Sequence, residues 1–434
     1  MNVKERIEMT AELLDKELES MIGDDGIKVP GLGVIVYKDG KEIYSKFLGR
    51  RVIGNDMPVT RHSRFRAASL SKMFMVFSIM QLVEQGKINL SDDVSKYLGF
   101  ELRNPNFPNT PITVELLACH TSSLRDGKIY SIPPEFGIEE FFYPDGKYWE
   151  GGKHFAPPEE KIGEYFSYGN LNYGLLGTII EAVTGKRFDI YQRENILKQL
   201  DTRADYLPSN FACAEFEMLG TIYRKKNPRG IWNEFGDWYG QADDFKGIQP
   251  AKDTIALQNP YDENFQRVCD LKTYRAGTNA TIFSPQGGLR ISFEELAHVL
   301  EMLMNGGIYR GKKILDKKSL DAMFKPHWIY NAENKNGDTG DGVFLNYGLG
   351  IYSVDGKSTG RVCKAHEINL IGHTGVAFGM LAGLFFIPNT KNGFLYMMNG
   401  TALDETSDPR SRGEFSGNYI WEEKIMDTIC KFLV

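Results

Sequence analysis

The sequence predicts an α+β fold: one antiparallel sheet drawn from both chain ends and flanked by terminal helices, with a mainly helical lobe inserted between. Three observations predict it. Strand-and-turn patterns occur at residues 31–48 and return at 347–399, whereas helical periodicity dominates the span between them. The 434 residues also carry no internal repeat, low-complexity run or long linker, so the chain reads as one domain of two lobes. The sheet-bearing lobe is expected at about 1–65 and 305–434. The helical lobe is expected at about 66–304, including an irregular insertion at about 206–280.

Residues 1–22 alternate charges with Val3, Ile7, Leu13, Leu14, Leu18 and Met21, the pattern of an amphipathic helix packed on the fold. Residues 31–37 read as a strand, Lys38-Asp39-Gly40-Lys41 as a tight turn, and 42–48 as the returning strand. A strongly apolar helix is expected from Ser69 to a stop at Gly86. Short helices follow, one opening at 89–93 and another within 112–122. Residues 123–164 are rich in Gly, Pro and aromatics without a clean period, a long loop of the kind that lines or covers a site.

Helices are predicted at 173–183, closed by Thr184-Gly185, and at 188–200. The segment 206–280 is polar and aromatic (Trp232, Trp238, Tyr239, Phe245) with scattered Pro and Gly, and reads as irregular. Residues 284–292 open a helix over 293–304. One strand is expected at 347–352 and an apolar pair at 379–387 and 394–399. A terminal amphipathic helix follows over 419–433.

Composition excludes several classes. Hydrophobic residues at 42% and charged residues at 25% are the balance of an ordinary globular core and surface. The net charge of −6 gives no basic footprint, so nucleic acid is not an expected partner. No apolar run approaches a membrane span or the core of a signal peptide, so a cytoplasmic location is expected, a trimmed leader aside. Five scattered cysteines form neither a disulfide framework nor a paired zinc motif. His366 and His373 have no third ligand nearby, so no metal and no cofactor are expected. Nothing in the sequence indicates an oligomeric state.

The chemistry centres on Ser69-Leu70-Ser71-Lys72, the single Ser-x-x-Lys in the chain. Helical spacing puts Ser69 and Lys72 on one face, a turn apart. A serine hydroxyl is a weak nucleophile, and a lysine kept neutral by burial can take its proton. Backbone N–H groups at a helix start add stabilisation for developing negative charge. Alone, the same pattern also describes an N-capping serine with a solvated lysine, and chance supplies roughly one or two such matches in a chain this long.

Two further triplets weigh against that reading. Tyr168-Gly169-Asn170 is the single Tyr-x-Asn and precedes an apolar helix. A phenol whose pKa is lowered by nearby ammonium groups can act as general base or acid, and Asn170 could bond the lysine or a substrate amide. A tyrosine capping a turn is the structural alternative. His373-Thr374-Gly375 precedes the last strand pair, where glycine on an edge strand lets a substrate pair with the backbone. A satisfied core histidine is the alternative there.

Taken in order, Ser-x-x-Lys, Tyr-x-Asn and His-Thr-Gly resemble the motif set of the serine β-lactamase and penicillin-binding-protein superfamily. Tyr-x-Asn places the resemblance with the class C β-lactamase-like branch of esterases, D-aminopeptidases and D,D-peptidases. His120-Thr121-Ser122-Ser123-Leu124 resembles a further family turn, with Ser123 where glycine is usual. The resemblance implies a β-lactamase-like (D,D-peptidase) fold and one catalytic domain over 1–434. It implies Ser69 as nucleophile, Lys72 as its proton acceptor, alone or together with Tyr168, and Tyr168 as donor to the leaving group and activator of water. Asn170, His373, Thr374, Gly375 and Val376 would bind substrate, with the backbone N–H groups of Ser69 and Val376 as oxyanion hole.

The family usually has lysine where His373 stands. A mostly neutral imidazole makes the site less suited to anionic β-lactams. The expected function is therefore a serine hydrolase acting through an acyl-enzyme on small esters, amides or D-amino-acid peptides. The alternatives are a β-lactamase or D,D-carboxypeptidase, and a β-lactam- or peptide-binding sensor that acylates without turnover.

Overall fold

A computed structural model describes residues 3–24, 28–226, 231–259, 262–358, 360–405 and 407–433; Met1, Asn2 and Val434, expected in the lobes above, lie outside these. Helix α1 (Val3–Met21) leads into β1 (Gly31–Lys38) and β2 (Lys41–Val52), with a short β3 (Met57–Pro58) alongside. Asp39 and Gly40 turn the hairpin with φ of 52° and 75°. Asp and Gly tolerate that left-handed backbone, which is why the turn falls there. A 3-10 turn, Ala68–Leu70, then precedes α2 (Ser71–Glu84), so the regular helix begins two residues after Ser69. Residues Ser71 to Met80 of α2 are all buried, because this helix is apolar on every face and runs through the middle of the molecule.

Helix α3 (Leu171–Thr184) packs beside α2 and ends on Gly185 at φ 67°. The predicted helix at 188–200 is instead an α-turn (Phe188–Gln192), a π-turn (Arg193–Leu197) and a 3-10 turn (Lys198–Leu200). The segment 206–280 is not irregular. It holds β4 (Ile222–Lys226) paired with β5 (Asp237–Ala242), and β6 (Thr254–Asn259) paired with β7 (Asp262–Asp270), both antiparallel. Next comes α4 (Phe293–Met304), started by a capping box in which Ser292 and Glu295 satisfy each other's backbone N–H.

The chain closes with β8 (Tyr352–Val354), β9 (Leu370–Ala377), β10 (Met380–Phe386), β11 (Gly393–Met398), β12 (Gly400–Thr401) and α5 (Ile420–Leu433). The strand expected at 347–352 is broken. Gly350 turns with φ 68°, and only Asn346–Tyr347 on one side and β8 on the other are extended.

These strands form one seven-stranded antiparallel sheet in the order β8-β9-β10-β11-β1-β2-β3. The two chain ends meet in its middle, with Val34 opposite Tyr396 and Ile35 opposite Leu395. Alternate residues of β11 face opposite layers. Tyr396 donates to Glu422 of α5 at 2.8 Å, and a side chain at Gly393 would run into Leu300 of α4. Helix α1 packs with α5 on the first face, and α4 covers the second. Glycine at Gly33 admits that layer, since a Cβ there would stand 2.6 Å from the Phe293 ring. Strand β12 runs parallel to β4 and ties the inserted hairpin to the sheet.

Candidate active site

The 3-10 turn carrying Ser69 sits against β9. Ala68 is held in left-handed backbone at φ 46°, a conformation that costs a residue with a side chain about 1 kcal/mol. Gly375 allows the approach: a Cβ there would lie 2.7 Å from Ala67 O and 3.3 Å from Ser69 N. Strand β8 pairs only with Leu370, Ile371 and Gly372, so no strand covers the outer edge of β9 from His373 to Ala377 among the described residues. Ser69 and Val376 are both partly exposed, side by side with that open edge.

Lys72 is wholly buried, yet its Nζ lies 3.1 Å from Ser69 Oγ, 2.9 Å from Asn170 Oδ1 and 3.2 Å from the Gln286 carbonyl. Burial pushes its pKa down to about 7, partly offset by the Asp126 carboxylate. A neutral amine has two N–H bonds. Asn170 Oδ1 and Gln286 O can only accept, so they take both and leave the lone pair facing the Ser69 hydroxyl.

The Tyr168 ring lies between Phe344 (5.1 Å, 9° apart) and His120 (4.4 Å), with Lys72 Nζ 4.5 Å from its centroid. The expectation of a lowered phenol pKa is overturned. Burial pushes it well above the ordinary tyrosine value, against a smaller opposite pull from its hydrogen bond with Ser69. Its amine neighbour is only about half protonated near pH 7 and does not offset that burial. Tyr168 rests as a neutral phenol.

His373 is 1% exposed, with both ring nitrogens committed inside the protein. Its Nδ1 faces the Thr374 carbonyl, which can only accept, so Nδ1 carries the proton and Nε2 accepts from the Tyr347 hydroxyl at 2.8 Å. Burial first and Lys72 second push its pKa down to about 3. The imidazole is neutral and braces the wall beside Tyr168, its ring 6.2 Å away, with neither nitrogen turned to the open cleft. Thr374 Oγ1 accepts from Tyr352 at 3.3 Å.

The structure thus brings Ser69, Lys72, Tyr168 and Asn170 together beside the 373–376 strand. Sequence reasoning missed Asp126, whose Oδ2 accepts from Asn170 Nδ2 at 2.9 Å and whose Oδ1 accepts from Leu171 N at 2.8 Å. It missed the Gln286 carbonyl and His120, which accepts from Gly169 N at 3.1 Å and stacks on Tyr168. His120 and Ser123 both take positive φ (61° and 62°); the serine sits where the resembled turn has glycine, and that substitution was the available signal. Among the described residues no cluster of three His, Cys, Asp or Glu side chains could hold a metal ion. Nor, among the described residues, is any helix long and apolar enough to cross a membrane.

The two-sided sheet and a Ser-x-x-Lys turn beside the uncovered end of β9 define a β-lactamase-like fold of the serine β-lactamase-like superfamily. Residues 18–416 match the family described as Beta-lactamase, and the chain belongs to that family. It is 25% identical to the N-acetylmuramyl-L-alanine amidase of Bacillus subtilis (strain 168) over 427 aligned residues, 82% of this chain and 85% of that protein. It is 27% identical to protein flp of Staphylococcus aureus (strain NCTC 8325 / PS 47) over 229 residues, 51% of this chain. That match spans only 44% of protein flp, less than half its length. In fold, the chain is similar to the octameric penicillin-binding protein homologue from Pyrococcus abyssi. That likeness has a TM-score of 0.61 and 22% identity, and covers 92% of this chain and 74% of the other.

Proposed function

We propose that the protein is a serine hydrolase that forms an acyl-enzyme on small esters or amides, D-amino-acid peptides among them. One observation carries the reading: Lys72 is buried, and two fixed acceptors aim its lone pair at Ser69 Oγ. In this mechanism Lys72 Nζ takes the hydroxyl proton as Oγ attacks the carbonyl carbon. The oxyanion forms against the N–H groups of Ser69 and Val376. As the tetrahedral intermediate collapses, the neutral Tyr168 phenol gives its proton to the leaving group and recovers one from the Lys72 ammonium. Water then enters, and the same two groups work in reverse to release the acid.

The neutral His373 supplies no positive charge for a β-lactam carboxylate, which favours esters and amides over a β-lactamase or D,D-carboxypeptidase activity. A second reading rests on the alignment along 82% of this chain with the named amidase: the scissile bond is then the amide of an N-acetylmuramyl-L-alanine unit.

The test is intact-mass spectrometry after brief exposure to a penicillin, a p-nitrophenyl ester, N-acetylmuramyl-L-alanine and a fluorophosphonate, each beside Ser69→Ala. A mass increase confined to the wild type is expected with the ester and the fluorophosphonate. Turnover of the muramyl amide selects the second reading. An adduct with the ester, the amide or the penicillin that persists for hours identifies a sensor without turnover, and no adduct with any donor removes the hydrolase assignment.

A further inference from the structure

A cavity of about 570 Å³ opens beside the candidate site, between the 129–133 segment, the 282–286 loop and strands β5 and β6 of the insertion. That volume suits a small organic group. It adjoins the site at two points. Gln286, on its wall, gives its carbonyl to Lys72, and Arg66 lies three residues before Ser69. Ile129, Leu257 and Phe283 supply apolar surface.

The charged groups on its wall are unevenly matched. Arg290 is fully engaged, with Nε and Nη2 on Asp243 (3.1 and 2.8 Å) and Nη1 on the carbonyls of Tyr206 and Gly288. Asp244 pairs with Lys246 at 2.5 Å. Arg66 gives only Nε, to the Gly287 carbonyl at 2.9 Å, and lies over the Phe378 ring at 5.5 Å. Its Nη1 and Nη2 make no hydrogen bond among the described residues. Three cations face two carboxylates on this wall, and the surplus charge sits on Arg66. Burial and the neighbouring Arg290 push its pKa down to about 10, which still leaves it protonated at neutral pH.

Direction along β9 decides which half of a substrate reaches this cavity. The strand runs from His373, beside the Tyr168 ring, to Ala377, and Phe378 follows on Arg66. A substrate that presents its leaving group to Tyr168 extends its acyl group toward Phe378. Resting on the serine-hydrolase reading, we propose that this cavity receives an acyl group ending in a carboxylate on an apolar stem, held by Arg66 through Nη1 and Nη2. A planar guanidinium with two free donors matches a carboxylate in a paired, two-bond geometry that lysine does not offer.

The experiment compares p-nitrophenyl monoesters of glutaric, adipic and suberic acids with the same compounds capped as methyl esters, at constant ionic strength. For at least one chain length, the free carboxylate is expected to raise kcat/KM about tenfold or more over its capped partner, through KM. Arg66 also steadies Gly287, next to Gln286, so its variants can slow every substrate; the quantity read is the ratio of acid to capped ester. Arg66→Gln is expected to bring that ratio to about one, and Arg66→Lys to recover part of it. Equal rates for acid and capped esters in the wild type, or a ratio unchanged in Arg66→Gln, overturn the proposal and leave the hydrolase reading in place. No acylation by any ester or by the fluorophosphonate removes the hydrolase reading and this proposal together.

Discussion

The Asp126 carboxylate fixes which way round the Asn170 amide lies. A carboxylate only accepts, so Asn170 must turn its Nδ2 toward Asp126, and its oxygen is left for Lys72 Nζ at 2.9 Å. The negative charge also raises the Lys72 pKa, against the larger lowering by burial. Lys72 must be neutral to take the serine proton, so wild-type kcat/KM is expected to rise as pH increases through about 7. Asp126→Asn removes the charge, and the rise should move to lower pH. Because Asn170 also loses its orienting partner, the plateau should fall roughly tenfold. A pH–rate profile on a p-nitrophenyl ester reads both effects; a rise that stays at the wild-type pH counts against the coupling.

Tyr168→Phe separates the two halves of the reaction. The phenol is expected to donate to the leaving group and to relay a proton from water, contributions of about 10²- to 10⁴-fold. With a p-nitrophenyl ester, whose leaving group needs no proton, acylation should survive better than deacylation, and the acyl adduct should accumulate in the mass spectrum. Since burial holds the phenol well above the ordinary tyrosine value, wild-type kcat/KM should show no basic limb from Tyr168 up to about pH 10.

His373→Lys introduces the residue that the resembled family usually carries here. Tyr347 can still bond the new side chain through its oxygen. The added charge beside β9 is expected to raise the rate of acylation by a penicillin about tenfold, with little change toward a neutral ester. An unchanged penicillin rate would show that the neutral histidine does not set this preference.

Glu422 gives a stability prediction away from the site. It lies buried beneath the sheet on Tyr396, and burial pushes its pKa up to about 7. Between the ordinary carboxylate value and about 7 the folded state holds a proton that the unfolded state has lost, so its contribution to stability falls as pH rises across that window. Above about 7 the penalty is constant, at most about 3 kcal/mol. Glu422→Gln keeps an acceptor for Tyr396 without a charge. The variant should melt higher than wild type at pH 8, and the gap should close toward pH 5.

What was legible in the sequence had a local cause. Lys38-Asp39-Gly40-Lys41 turns β1 into β2 through backbone that those residue types favour, and the apolar run after Ser69 can only be a buried helix. The elements missed depend on distant partners. β4 is a strand because it lies between β5 and Gly400–Thr401, some 175 residues on, and the polar composition of 206–280 hides that pairing. The 347–352 run is apolar like a strand, but it turns at Gly350, where Val76 and the Lys72 carbonyl leave no room for a Cβ. At the site, Ser69, Lys72, Tyr168 and Asn170 stood in recognisable triplets. Asp126 lay in a loop placed by tertiary contacts, and Gln286 contributes a backbone oxygen that any residue type would provide.

The pairing of β1 with β11 has a consequence for how the protein is made. Ser69 and its lysine leave the ribosome some 300 residues before the strand that walls the cleft, and that strand is anchored through β10 to β11 at the sheet's midline. A nascent or prematurely terminated chain therefore carries the proposed nucleophile without the Val376 N–H proposed as its oxyanion partner or the burial that lowers the Lys72 pKa. On the proposed reading, reactivity is withheld until the strands over 370–398 have been made and paired, so the cleft and the chemistry are completed in one folding event.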